Sequence, residues 1–249
     1  MTLTANDRKL RGESRWGTAA LGLATWIVAL LMFFPLFWMV LNSFKTEVVA
    51  NASPTIFFDP TLERWEKVVS TAPGLLSFGE AFFNSFVIVI ISTIVVIVLA
   101  VPAAYALAIY PIGNWRDALF FFISTKFLPV VAAILPLWII ARELDLLNTK
   151  QVLIILYTAM NLPLAVWMLR SFFGEVPREL IEAAQMDGTG LYGQIKDLML
   201  PIVAPGLAAT ALLCFIFAWN VFFLAVQLHP VDNSTVPIWV TSNVTTRGN

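Results

Sequence analysis

The 249-residue chain is 59% hydrophobic and only 12% charged, and its formal net charge is −1. This composition excludes a disordered chain, argues against a soluble domain, which carries about 25% charged residues, and leaves no basic surface for nucleic acid. A single cysteine, Cys214, excludes an intrachain disulfide, and a single histidine, His229, excludes bis-histidine ligation of haem or metal within this chain. The remaining class is a polytopic membrane protein.

The gaps between charged residues predict five membrane-spanning helices. A helix needs about 20 apolar residues to cross the bilayer. Long, continuous apolar runs favour helices over barrel strands, which alternate over about ten residues. The predicted fold class is therefore all-α, and the predicted spans are about 17–41, 82–110, 118–141, 151–170 and 201–228.

The segments between the spans predict the orientation of the chain. The tail, 1–16, contains four basic residues, Arg8, Lys9, Arg11 and Arg15. The excess of Lys and Arg in cytoplasmic segments predicts a cytoplasmic N-terminus, followed by one membrane domain, 17–249. In that orientation, loop 43–80 is external, with a short helix near 62–70, and loop 175–200 is internal.

Loop 175–200 is amphipathic and too polar to span the membrane. The pattern predicts a helix that begins near Pro177 and is broken by Gly188, since glycine readily adopts positive φ. A second short helix is predicted over about 191–198, before Pro201 opens the fifth span. These features alone fit either a solvated interfacial linker or a surface that docks a protein.

The spacing in this loop resembles the EAA loop of permease subunits of binding-protein-dependent ABC importers. The family pattern is EAA, three residues, Gly, nine residues, then Ile-x-Leu-Pro. The matching residues are Glu182, Ala183, Ala184, Gly188, Leu198, Leu200 and Pro201, with leucine in place of isoleucine at 198.

Shorter matches elsewhere resemble the carbohydrate-uptake branch of this family, close to the smaller permease of maltose- and polyol-type systems. They are NSFK at 42–45, NS at 84–85, AAYA at 103–106, NT at 148–149 and WN at 219–220. The resemblance implies a sugar or polyol permease in the bacterial inner membrane. Its implied partners are membrane lipid, a second permease, a cytoplasmic ABC ATPase dimer and an extracytoplasmic solute-binding protein. The family usually has a sixth span, so we expect this chain to be a fragment or a truncated form.

The resemblance also implies a coupling helix that sits in a cleft of the ATPase. Glu182 would anchor it, Ala183 and Ala184 would pack, and Gly188 would allow the turn. Asp187, Leu200 and Pro201 complete the implied coupling site.

The sequence contains no G-x4-G-K-[ST] loop, so ATP hydrolysis is expected on a partner and not in this chain. No catalytic residue, metal site, cofactor or nucleic-acid partner is expected. The G-x-G-x-x-G at Gly188, Gly190 and Gly193 lies between two surface helices, whereas a dinucleotide site needs it between a strand and a helix.

Four polar or aromatic residues within spans are possible parts of a substrate path: Lys126, Asn161, Trp219 and Asn220. A charge inside the membrane is a functional hypothesis by default, but Lys126 can also reach the interface with its long side chain. Tryptophan suits stacking on a sugar ring, and both it and asparagine also serve in helix packing.

Two other function classes remain open, an energy-independent channel or secondary carrier and a non-transporting membrane anchor. The EAA spacing favours the importer permease over both.

Overall fold

The computed structural model describes residues 15–52, 54–69, 77–110, 113–127, 130–229 and 235–247, and across these ranges it is helical, without a β-strand. The predicted tail, 1–16, lies almost wholly outside them. The helices are α1 Arg15–Ser43, α2 Glu47–Ala52, α3 Glu63–Val69, α4 Phe78–Ile109, α5 Trp115–Ser124, α6 Val130–Glu143, α7 Lys150–Gly174, α8 Arg178–Met186, α9 Leu191–Ile202, α10 Ala204–Trp219, α11 Phe223–Leu228 and α12 Val236–Arg247. The predicted all-α class is confirmed.

Three helices of the described ranges are long and apolar enough to cross a membrane, namely α1, α4 and α7. They coincide with the first, second and fourth predicted spans. The pair formed by α9 and α10 passes the same test together, although the two helices meet at an angle of 85°. By length and composition the described chain therefore has three spans, or four if this bent pair is one span, and not five continuous ones.

The predicted third span, 118–141, is not one helix. Helix α5 ends at Ser124, a 3₁₀ turn covers Thr125–Phe127, and α6 begins at Val130. Pro129, which lies outside the described residues, has no N–H to donate, and its ring disfavours helical geometry in the residue before it. The described part of this segment, 118–127 and 130–141, therefore contains two shorter helices rather than one span.

The predicted fifth span, 201–228, is also interrupted. Helix α10 begins at Ala204 and ends at Trp219, and α11 begins only at Phe223. The side-chain Nδ2 of Asn220 donates to the carbonyl of Ile216 at 2.7 Å, so this asparagine folds back on the end of its own helix. Such a local side-chain bond competes with helix continuation and favours a break at this point.

The chain divides into two units, residues 1–71 and residues 72–249. In the first unit, α1 is exposed along most of its length. The chain that follows α1 buries Lys45, whose ammonium lies 4.6 Å from the ring centre of Trp38 and 5.2 Å from that of Phe58. Helix α3 falls within the short helix predicted near 62–70.

In the second unit, α4 and α7 run parallel and form the centre of the packing. One buried cluster joins their C-terminal halves and includes Tyr105 and Phe173. A second buried cluster joins their N-terminal halves and includes Ile88 and Leu153. The C-terminal ends of α4 and α7 therefore lie together, and α8 and α9 follow directly from that end.

Candidate functional site

Helix α8 begins after Pro177, where a missing N–H costs no hydrogen bond, and it ends in a glycine-dependent turn. Gly188 has a φ of +74°, as the sequence predicts. The N–H of Gly188 donates to the carbonyl of Gln185 at 3.0 Å, and the N–H of Thr189 donates to the carbonyl of Ala184 at 2.9 Å. These two bonds form a Schellman motif, which closes the helix and reverses the chain.

One face of α8 packs inward and the opposite face is open. Ile181 is buried and Ala184 is half-buried, so these two residues hold the helix against the rest of the second unit. The open face is formed by four exposed residues, Glu179, Glu182, Ala183 and Met186. It is called the docking face hereafter, after the role that the family resemblance implies. It combines carboxylates with a small side chain and with a methionine that is 88% exposed. Asp187, in the turn that follows, is exposed as well.

Helix α9 carries the last two residues of the EAA pattern toward the membrane. Leu200 is half-buried and Pro201 is exposed in the final turn of α9. The chain then bends by 85° at Val203 and continues as α10. The surface loop, 175–200, is thus connected directly to the helix that opens the predicted fifth span.

Two buried polar residues link the loop to α4. Tyr105 belongs to the family match AAYA at 103–106, but no role was predicted for it or for Gln194. The hydroxyl of Tyr105 donates to Oε1 of Gln194 at 2.7 Å. Nε2 of Gln194 donates to the carbonyl of Thr189 at 2.7 Å. Their separation of 89 positions in the chain explains why no local pattern could pair them.

Of the four residues predicted for a substrate path, two line a small cavity beside α10. Trp219 stacks on Phe215, with ring centres 5.6 Å apart, and meets the ring of Phe82 edge-on at 5.6 Å. Asn220 is exposed and lies next to it. The cavity has a volume of about 260 Å³ and is lined by Phe82, Phe86, Phe215, Ile216, Trp219 and Asn220.

The other two residues contact α10 at different points. Lys126 is exposed in the 3₁₀ turn after α5, and its ammonium lies 5.5 Å from the ring centre of Phe217. Asn161 is only 3% exposed, and its Nδ2 donates to the carbonyl of Cys214 at 3.4 Å. This second arrangement is typical of helix packing, because a buried carboxamide binds a backbone acceptor on a neighbouring helix.

Within the described ranges, no three His, Cys, Asp or Glu side chains come together in an arrangement that could hold a metal ion. The polar groups that contact α10 include the ammonium of Lys126 and the carboxamides of Asn161 and Asn220. Such groups bind hydroxyl-rich ligands through hydrogen bonds.

The family model for the binding-protein-dependent transport system inner membrane component matches residues 100–235, which is more than half of the chain. The chain belongs to this family. The match includes the whole EAA loop and α10, and so covers the docking face and one side of the cavity, whereas Phe82 and Phe86 on the other side precede the matched residues.

Two relatives extend the similarity over most of the chain. The sulfoquinovosyl glycerol transport system permease protein SmoH of Agrobacterium fabrum is 36% identical over 198 residues, covering 79% of this chain and 68% of the relative. The trehalose/maltose transport system permease protein MalG of Thermococcus litoralis is 32% identical over 216 residues, covering 86% and 77%. The protein is therefore an inner-membrane permease of the ABC type.

A solved structure supports the fold. The crystal structure of a bacterial ABC transporter involved in the import of the acidic polysaccharide alginate matches with a TM-score of 0.73 at 21% identity. The match covers 100% of this chain and 84% of the other. This chain therefore shares its helical fold with a chain of that transporter.

Proposed function

We propose that this permease is one half of the translocation pathway of an ATP-driven importer for a sugar or sugar alcohol. A second permease forms the other half, a solute-binding protein delivers the solute from outside, and a cytoplasmic ATPase dimer supplies the energy. The N-terminus and the loop 175–200 then lie on the cytoplasmic side. Two observations support the substrate class. The names of the two relatives refer to trehalose and maltose and to sulfoquinovosyl glycerol, and aromatic and amide side chains line the cavity beside α10.

The observation that carries this proposal is the docking face of α8. It lies on a helix whose end is fixed by the Gly188 turn, and it includes Glu182 and Ala183 of the EAA pattern. An exposed small residue allows close approach of a partner backbone, and Glu182 offers an acceptor for an arginine or a backbone N–H. Met186 adds apolar area that a partner would cover.

The proposed mechanism is alternating access driven through this face. ATP binding closes the ATPase pair, and α8 moves with the subunit on which it sits. Because α8 and α9 connect α7 to α10, the displacement reaches the two helices that flank the loop. The cavity then opens outward to receive solute, and ATP hydrolysis returns it to the inward-facing state.

Replacement of Ala183 by arginine tests the docking role. We expect the long side chain to reduce the amount of ATPase that co-purifies with the permease pair by about tenfold, because it separates two closely packed surfaces. The serine variant at the same position keeps the side chain small and should co-purify normally. Equal ATPase recovery with arginine and with serine would contradict docking through this face, and a permease pair that never binds an ATPase would reject the importer.

Replacement of Lys126 by methionine tests the substrate path. If the ammonium contacts the solute, we expect ATP-driven uptake to fall roughly threefold to tenfold, the effect of losing one hydrogen bond of ordinary strength, while assembly of the complex is unchanged. The matched control is Lys150→Met, since Lys150 also lies over a phenylalanine ring, at 5.9 Å, but at the start of α7. Unchanged uptake by the Lys126 variant would remove this residue from the path.

A further inference from the structure

A continuous series of hydrogen bonds connects the Gly188 turn to α4, the longest helix among the described residues. The carbonyl of Thr189 accepts from Gln194, and Gln194 accepts in turn from the hydroxyl of Tyr105, each at 2.7 Å. Tyr105 is 1% exposed and Gln194 is 5% exposed, so water does not compete strongly for these groups. Hydrogen bonds are stronger in such surroundings than at a surface.

Only one orientation of the Gln194 side chain allows both hydrogen bonds to form. Gln194 has to accept through Oε1 and donate through Nε2 at the same time, which fixes the orientation of its carboxamide. A buried polar group that loses its partner is costly. If the loop moves, either Tyr105 moves with it or the chain of bonds breaks.

The backbone around Gln194 has an unusual and closely packed geometry. The middle of α9, Gln194–Met199, is π-helical, a local geometry that is often found at functional sites. The backbone before it is tightly packed, because a Cβ at Gly193 would lie 2.7 Å from Cγ2 of Thr189. Met199 is fully buried in the cluster that also contains Tyr105.

Helix α4 connects this point to the cavity beside α10. Tyr105 lies near its C-terminal end, whereas Phe82 and Phe86, which line the cavity, lie near its N-terminal end. A helical rise of 1.5 Å per residue separates Phe82 from Tyr105 by about 35 Å. Helix α4 therefore contains both Tyr105, which is bonded to loop 175–200, and two residues that line the cavity.

We infer that Tyr105 and Gln194 are positioning residues. They transmit displacement of loop 175–200 to α4 and so couple ATP hydrolysis to solute movement. The inference rests on the proposed function, since it requires that α8 docks on an ATPase. This hydrogen-bonded connection is a second route for the displacement, in addition to the backbone connection of α8 and α9 to α7 and α10. Apolar contacts at the same interface can slide, but directional hydrogen bonds between buried groups resist such sliding.

The test uses the assembled importer, with both permeases, the ATPase dimer and the binding protein, reconstituted in lipid vesicles with a transported sugar. The measured quantity is the number of ATP molecules hydrolysed per solute molecule taken up. Tyr105→Phe removes one hydrogen bond, and Gln194→Met removes both while keeping the side-chain length. We expect this ratio to rise about threefold or more in each variant, with the yield of complex unchanged.

Two controls separate transmission from simple destabilisation. Tyr110→Phe changes the neighbouring tyrosine, which is 46% exposed and whose ring centre lies 6.1 Å from that of Tyr105, and it should keep the original ratio. The double variant of Tyr105 and Gln194 should be no worse than Gln194→Met alone, because both residues act in one chain of bonds.

Three results would overturn the inference in distinguishable ways. An unchanged ratio in both variants would show that the bonds transmit nothing, although the importer itself works. A lower yield of complex with an unchanged ratio in the remainder would assign these side chains a structural role only. Failure of the unmodified chain to assemble with an ATPase would instead reject the proposed function, and the inference with it.

Discussion

Replacement of Gly188 by valine is expected to reduce ATP-driven uptake by at least about tenfold while the ATPase subunits continue to hydrolyse ATP. The φ of this residue is +74°, and a left-handed conformation costs an L-residue roughly 1–2 kcal/mol, more when it is β-branched. The two bonds that close the Schellman motif depend on this conformation. The valine variant should therefore alter the direction in which α9 leaves α8. Uptake of labelled solute and release of phosphate, measured on the same vesicles, check this result.

The open surroundings of Gly188 allow a backbone effect to be separated from a steric clash. A Cβ built at this position has no atom within 4 Å, so the expected defect comes from the backbone and not from a clash. Gly188→Asn is the matched control, because asparagine tolerates positive φ, and it should retain most of the uptake. Gly190→Val adds the same side chain in equally open space, at a residue with a φ of −69°, and should be mild. Normal coupling in the Gly188 valine variant would count against the turn as a coupling element.

The structure of loop 175–200 could be predicted because its signals are local. Pro177 and Gly188 mark the start and the end of one short helix, and each acts through its own backbone rather than through distant contacts. The long apolar helices could be predicted for a similar reason, since the membrane imposes a minimum length on any uninterrupted span. Backbone chemistry and solvent therefore determine these features without reference to the tertiary structure.

The interruptions and the internal contacts could not be predicted in the same way. Hydropathy treats 118–141 and 201–228 as continuous runs, although Asn220 binds the carbonyl of Ile216 and ends α10. The bond between Tyr105 and Gln194 joins residues far apart in the chain, so only the packing of α9 against α4 brings them together. Asn161 was predicted for a substrate path, but it is buried against α10 and binds a backbone carbonyl there. Hydropathy could not predict this contact, because it depends on which helices are neighbours.

Gly206 is a further residue whose role is visible only in the folded chain. It lies in the first turn of α10 and is buried against α7. A Cβ at this position would lie 2.5–2.8 Å from three ring atoms of Phe172. Ring atoms of a packed phenylalanine cannot yield by such a distance without a shift of the helix. Small residues at helix contacts in membranes allow this close approach, and a hydrogen atom is the only side chain that fits here.

Replacement of Gly206 by alanine is therefore expected to destabilise the packing of α10 on α7 by about 1–3 kcal/mol, the usual cost of overpacking a filled interface. The thermal unfolding temperature of the purified complex in detergent should fall, and less complex should be recovered. Gly174→Ala, at the end of α7, adds the same methyl group where no atom lies within 4 Å and should leave both quantities unchanged. A second substitution, Phe172→Ala, should restore part of the lost stability in the Gly206 variant, because it removes the ring that the new methyl group meets. Additive losses in the double variant would contradict a direct contact between these two residues, since only a shared contact can make the second change compensate for the first.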